Sequence, residues 1–150
     1  MPNSHCSKCG EDKCDDGHVY VIELKESALD KTRFAPDFDR DNFKSGITKC
    51  FYVGQSGPHT PQCRYNQHVA KRKKPRTGFI CKCNKKAVKV LFDPYNSGGR
   101  YVRKYYKKGG LRPKIYRDYN PVKGDQEKRK KVEKELSESL RKQGHAVHYG

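Results

Sequence analysis

The chain is poor in what large hydrophobic cores are made from. It has no Trp, a single Met, and only 33% hydrophobic residues in 150. That supply suits one small domain with long polar surface segments. No apolar run approaches the ~18 residues of a membrane-spanning helix, and the N-terminus lacks the apolar stretch of a signal peptide. A cytoplasmic protein with no membrane partner is therefore expected. An even cysteine count is also lacking: there are seven, which disfavours a closed disulfide framework and suits reduced thiols. Negative charge is almost absent from the middle third. Residues 70–117 hold 17 basic residues and one acidic residue, Asp93. The segments on either side are close to neutral.

What is present follows from that asymmetry. The net charge is +17, and nearly all of it lies in the central segment. A field so concentrated calls for a polyanionic partner, nucleic acid above all; the alternative is a merely solubilising surface. The candidate phosphate-gripping residues are Lys71, Arg72, Lys73, Lys74, Arg76, Arg100, Arg103, Lys104, Lys107, Lys108 and Arg112. Ten tyrosines argue against full disorder, and those near the cations are able to stack on unpaired bases.

Along the chain, residues 1–17 are polar and Cys-rich. His18–Leu24 reads as a β-strand, with Val19 and Val21 on one face and Tyr20 and Ile22 on the other. A long connection, residues 25–49, leads to a second strand, Cys50–Gly54. Thr60 and Pro61 suit the start of a helix that brings Arg64 and His68 to one face and ends before Pro75. A third strand is expected at Ala87–Phe92, then loops with a short helix near Tyr101–Lys107. Asp125–Gln143 is the strongest helix. Val132, Leu136 and Leu140 form its apolar stripe and Gly144 its stop. Ala146–Tyr149 suits a short returning strand.

Two strands that each present a tyrosine, His18-Val19-Tyr20 and Tyr52-Val53-Gly54, precede Arg64-x-x-x-His68 and a later helical carboxylate. In this order the sequence resembles the GIY-YIG nucleases. Tyr52-Val53-Gly54 matches the second signature, and His18-Val19-Tyr20 matches the first without its leading glycine. The connection between the two strands and the interval from Arg64 to the carboxylate are both longer than the family's. Among Glu127, Glu133, Glu135 and Glu138, rotation at about 100° per residue leaves only Glu133 bordering the apolar stripe.

The resemblance implies an α+β domain over residues 18–150: a small three-stranded, mainly antiparallel sheet flanked by helices, with a basic insertion at about 70–117. It implies a metal-dependent endonuclease acting on DNA more than RNA, as a monomer or a transient dimer on its substrate. Tyr20, Tyr52, Arg64, His68 and Glu133 would be catalytic, with Glu133 holding Mg²⁺ or Mn²⁺. Such residues suit the reaction: a guanidinium clamps phosphate oxygens, and one carboxylate suffices for a hard ion otherwise held by water and phosphate.

Cys6-x-x-Cys9 with Cys14 looks like part of a zinc knuckle that Cys81 and Cys83, or His5, could complete; unliganded thiols are the other reading. The rival to a nuclease is a non-catalytic basic DNA- or RNA-binding protein, and a third reading is a nuclease fold kept as a docking module.

Overall fold

The computed structural model describes residues 17–56, 61, 64, 65, 78–81, 88–91 and 97–149. Its centre is a four-stranded mixed sheet in the order β5 (Tyr106–Leu111), β1, β2, β6 (Ala146–Tyr149). β1 is His18–Leu24 and β2 is Cys50–Ser56. They run antiparallel in an unbroken register from His18 opposite Ser56 to Leu24 opposite Cys50. All seven residues of β1 are buried, so this central strand is covered on both faces. That explains why β-branched and aromatic side chains fill both its alternating sets.

Helix α1 (Ser97–Tyr105) packs on β2, β1 and β5, and helix α3 (Gln126–Lys142) packs on β6, β2 and β1. Val19, Val21, Ile22, Leu24, Phe34, Val53, Val102, Leu136 and Val147 are closed from solvent in the core between them. Each such burial is worth about 1.5–3 kcal/mol.

Two strands complete the sheet. β5 (Tyr106–Leu111) pairs antiparallel with β1 through Ile22–Leu111 and Leu24–Tyr106, with a bulge between. β6 (Ala146–Tyr149) pairs parallel with β2, Cys50 opposite Ala146 and Tyr52 opposite His148. The expected three-stranded, mainly antiparallel sheet is therefore corrected to a four-stranded mixed one. The expected third strand is also displaced. Val88–Leu91 (β4) pairs with Gly78–Cys81 (β3) in a separate two-stranded ribbon. The reason is occupancy: β5 and β6 already hold the outer edges of β1 and β2, and a hairpin between near neighbours in sequence closes at small entropic cost. The segment expected to be a basic insertion supplies α1, β5 and the single turn α2 (Pro113–Tyr116) to the same domain.

Local signals set the ends of α3. The Asp125 carboxylate accepts the Lys128 N–H at 3.1 Å, an N-cap bond. At the other end Gly144, at φ 96°, donates to the Arg141 carbonyl at 2.9 Å, and His145 donates to the Leu140 carbonyl at 3.2 Å. This paired closure uses a left-handed residue that glycine adopts without strain. The 25–49 connection carries only two short 3-10 turns, Glu26–Asp30 and Arg40–Asn42. Among the described residues no helix is long and apolar enough to cross a membrane.

Candidate active site

Strand pairing puts Tyr20, Tyr52 and His148 on one face of the sheet. Tyr20 stands opposite Gly54 across β1 and β2. A Cβ built on Gly54 would overlap the Tyr20 ring and hydroxyl. The glycine thus provides the space into which the phenol lies, which gives the Tyr-Val-Gly pattern a steric reason. The Tyr20 and Tyr52 ring centroids are 6.2 Å apart and tilted by 56°.

Backbone support for Tyr20 comes from both sides. On one edge lies β2. On the other, beyond the reach of β5, the Asn120 side chain acts as a one-residue strand. Val19 N–H donates to Asn120 Oδ1 at 2.8 Å, and Asn120 Nδ2 donates to the Val19 carbonyl at 2.8 Å. Gly17 and Val122 add a bridge just beyond, and Arg112 N–H reaches the Val21 carbonyl at 2.9 Å.

Arg64 arrives from the helical segment that includes Pro61 and Tyr65. Tyr65 is buried, and its hydroxyl donates to the Lys107 carbonyl at 2.9 Å, in the β5 bulge. The residue beside Arg64 thereby ties that helix to the sheet edge. Arg64 hydrogen-bonds Tyr20, as does Tyr52, and Glu133 lies within electrostatic range of both phenols. Four separate elements, β1, β2, the Arg64 helical segment and α3, therefore bring together Tyr20, Tyr52, Arg64 and Glu133. Tyr20, Tyr52 and Glu133 are 1%, 4% and 5% exposed, while Arg64 is partly exposed.

The electrostatics divide the two phenols. Burial pushes both above the usual tyrosine range, Tyr52 the further. At Tyr20 the charge and hydrogen bond of Arg64, and the bond from Tyr52, act against burial. At Tyr52 burial is reinforced by Tyr20 and by Glu133, with the charge of Arg64 acting the other way. Tyr20 is therefore the phenol whose ionised form is better stabilised, and Tyr52 keeps its proton and donates. Burial raises the Glu133 carboxyl to about 7, with Lys130 pulling the other way. Glu133 lies within the buried face formed with Leu136, Ser137 and Leu140, whereas Val132 is only partly buried. The inward face of α3 is thus rotated toward Glu133 from the stripe expected.

His148 was not among the expected site residues. Its ring stacks on Tyr52 at 6.1 Å and 24°, and its Nδ1–H donates to the Phe34 carbonyl at 3.0 Å. Burial lowers its pKa, which the bond to Phe34 opposes and Arg141 reinforces. The ring is neutral with its lone pair on Nε2. A parallel pairing between segments so far apart in sequence leaves no local signal, so only the fold could bring His148 forward.

Other expected residues fall elsewhere. Lys107 and Arg112 pair with the buried carboxylate of Glu23, Arg112 Nε at 3.1 Å from Oε1. The structure sets these two half-exposed cations against Glu23 of β1 as its counter-charges. Arg103 is partly buried, Lys104 and Lys108 are exposed, and Arg100 lies on α1. His68, Lys71, Arg72, Lys73, Lys74 and Arg76 lie outside the described residues, as do Cys6, Cys9, Cys14 and Cys83; Cys81 ends β3. Cys50 is a buried free thiol that burial pushes up to about 12. Among the described residues no group of three or more His, Cys, Asp or Glu is gathered for a metal.

No family model, curated protein or solved structure matches the chain.

Proposed function

We propose that the protein is a metal-dependent endonuclease that hydrolyses phosphodiester bonds, of DNA in preference to RNA. The observation that carries this reading is the convergence of the Arg64 guanidinium on the Tyr20 phenol, beside Tyr52 and near the buried Glu133. A fixed cation, two phenols of unequal acidity and one enclosed carboxylate suit an anionic substrate that gains charge at phosphorus.

Each residue has a role on this reading. Arg64, the member that reaches solvent, clamps a phosphate oxygen and stabilises the charge that develops there. Tyr20 orients the attacking water; as a phenolate, the form that Arg64 favours and burial opposes, it would accept the water's proton. Tyr52 keeps its proton and holds the Tyr20 oxygen in place. His68 is the expected proton relay to the leaving oxygen.

The buried, enclosed carboxylate of Glu133 fits a site for one Mg²⁺ or Mn²⁺, a hard ion that keeps most of its ligands as water and phosphate. When bound at Glu133, the ion would supply further charge neutralisation at the phosphate. The basic central segment would hold the strand's backbone, with Lys104 and Lys108 exposed for that purpose.

The test is nicking of supercoiled plasmid with Mg²⁺, beside EDTA and beside Glu133→Gln. Cutting that vanishes in both controls is expected. Intact plasmid together with salt-sensitive binding would favour the non-catalytic DNA- or RNA-binding reading instead.

A further inference from the structure

A concavity lies beside the candidate active site. It has a volume of about 340 Å³ and is lined by Lys31, Thr32 and Arg33 from the β1–β2 connection and by Tyr101, Lys104 and Tyr105 from α1. Its rim is basic and its floor aromatic. Lys31, Thr32, Arg33 and Lys104 are exposed, Tyr101 is partly exposed and Tyr105 is buried. The Lys104 ammonium sits 5.5 Å from the centre of the Tyr105 ring, over its face, which holds that cation at the opening. Asp30, the nearest acid in sequence, is taken up by Arg40 at 2.7 Å.

This cavity is joined to the site through a chain of contacting rings. Tyr101 meets His148 edge-on at 4.8 Å, and His148 stacks on Tyr52. Phe34, next to Arg33, meets Tyr101 edge-on at 5.4 Å and stacks on His148 at 5.8 Å. A group resting on Tyr101 is therefore two rings from the Tyr52 phenol.

We propose that this cavity receives one unpaired nucleotide of the substrate strand, its base against Tyr101 and its phosphates against Lys31, Arg33 and Lys104. The volume is that of a small-ligand pocket. Cations around an aromatic floor match the two chemistries of a nucleotide, its anionic backbone and its π-face. A base within a perfect duplex is stacked between its neighbours and does not reach a concave site. The substrate class is then nucleic acid with a single-stranded or extrahelical nucleotide beside the cut. This inference rests on the nuclease reading and narrows it.

The experiment measures fluorescence anisotropy of a labelled single strand, a perfect duplex and a duplex with a one-nucleotide bulge, all in EDTA so that nothing is cut. Tyr101→Leu removes the stacking surface without changing charge. It should weaken binding of the single strand and the bulged duplex about tenfold and that of the perfect duplex less than about twofold. Arg33→Gln, at the exposed rim, is a second variant that leaves the core intact. It should weaken the same two probes more than the perfect duplex. Equal losses on all three probes, or no loss with either variant, would overturn the inference. A wild type that shows this preference but never nicks plasmid with Mg²⁺ would overturn the nuclease reading and leave the nucleotide cavity standing. Nicking with no such preference would do the reverse.

Discussion

The phenol of Tyr20 occupies the space where a side chain on Gly54 would be, directly across the β1–β2 pair. A site residue and a structural glycine therefore act as one unit. Gly54→Ala should destabilise the fold by about 1–3 kcal/mol, the usual cost of overpacking, and should lower nicking by displacing Tyr20. Urea unfolding and plasmid nicking measure the two effects. Unchanged stability would mean that the ring yields freely and does not depend on this glycine.

Arg64→Ala should slow nicking on the order of 10²–10³-fold, the scale of losing one preorganised charge stabiliser. Arg64→Lys should recover only part of that, since an ammonium does not reproduce a two-pronged contact. Undiminished cutting by the alanine variant would remove Arg64 from the mechanism.

Tyr65→Phe keeps the buried ring and deletes the hydroxyl that bonds the Lys107 carbonyl. The expected result is a folded protein, by circular dichroism, whose turnover falls while its affinity for DNA holds. Equal turnover would show that the helix carrying Arg64 is positioned without this bond.

Asn120→Ala strips both bonds from the backbone of Val19. A buried N–H and carbonyl left without partners should cost about 2–3 kcal/mol in urea unfolding. A smaller loss would mean that another group takes over this stretch of the β1 edge.

Acid should weaken the fold through Glu23. Burial acts to raise its pKa, but the hydrogen bonds and charges of Lys107 and Arg112 outweigh burial and hold it below the usual carboxylate range. The unfolded chain therefore takes up the proton first as pH falls. The stabilisation is present in full above about 4.5 and is lost as pH drops through the lower folded value. Unfolding curves between pH 3 and 6 should show this acid limb in wild type and a flatter one in Glu23→Gln. Identical limbs would relieve Glu23 of that role.

What the sequence disclosed and what it concealed divide by range of interaction. β1, β2 and the two ends of α3 were legible because their causes are local. These are dense β-branched residues around Tyr20 and Tyr52, a cap at Asp125 and a left-handed stop at Gly144. Tyr20, Tyr52 and Arg64 could be named from motif order, and Glu133 from its rotation on the helix; the structure brings these four together. β5 stayed hidden because Tyr-Lys-Lys-Gly-Gly-Leu has no apolar alternation, and only pairing with β1 makes it a strand. The placement of β6 beside β2, and with it His148 against Tyr52, depends on pairing between distant segments. The use of Lys107 and Arg112 as partners of Glu23 was equally invisible, since a basic run looks alike whether it faces phosphate or a buried acid.

The parallel pairing of β2 with β6 also bears on the order of assembly. Lys49 N–H bonds His145 Nδ1 across 96 positions, so β2 has no neighbour on that side until nearly the whole described chain has been made. The carboxylate of Glu133 comes with α3, on the same late segment. During synthesis the basic stretch is complete well before the candidate site can close around Glu133. On the proposed nuclease reading, the order of the elements would itself delay the onset of cleavage.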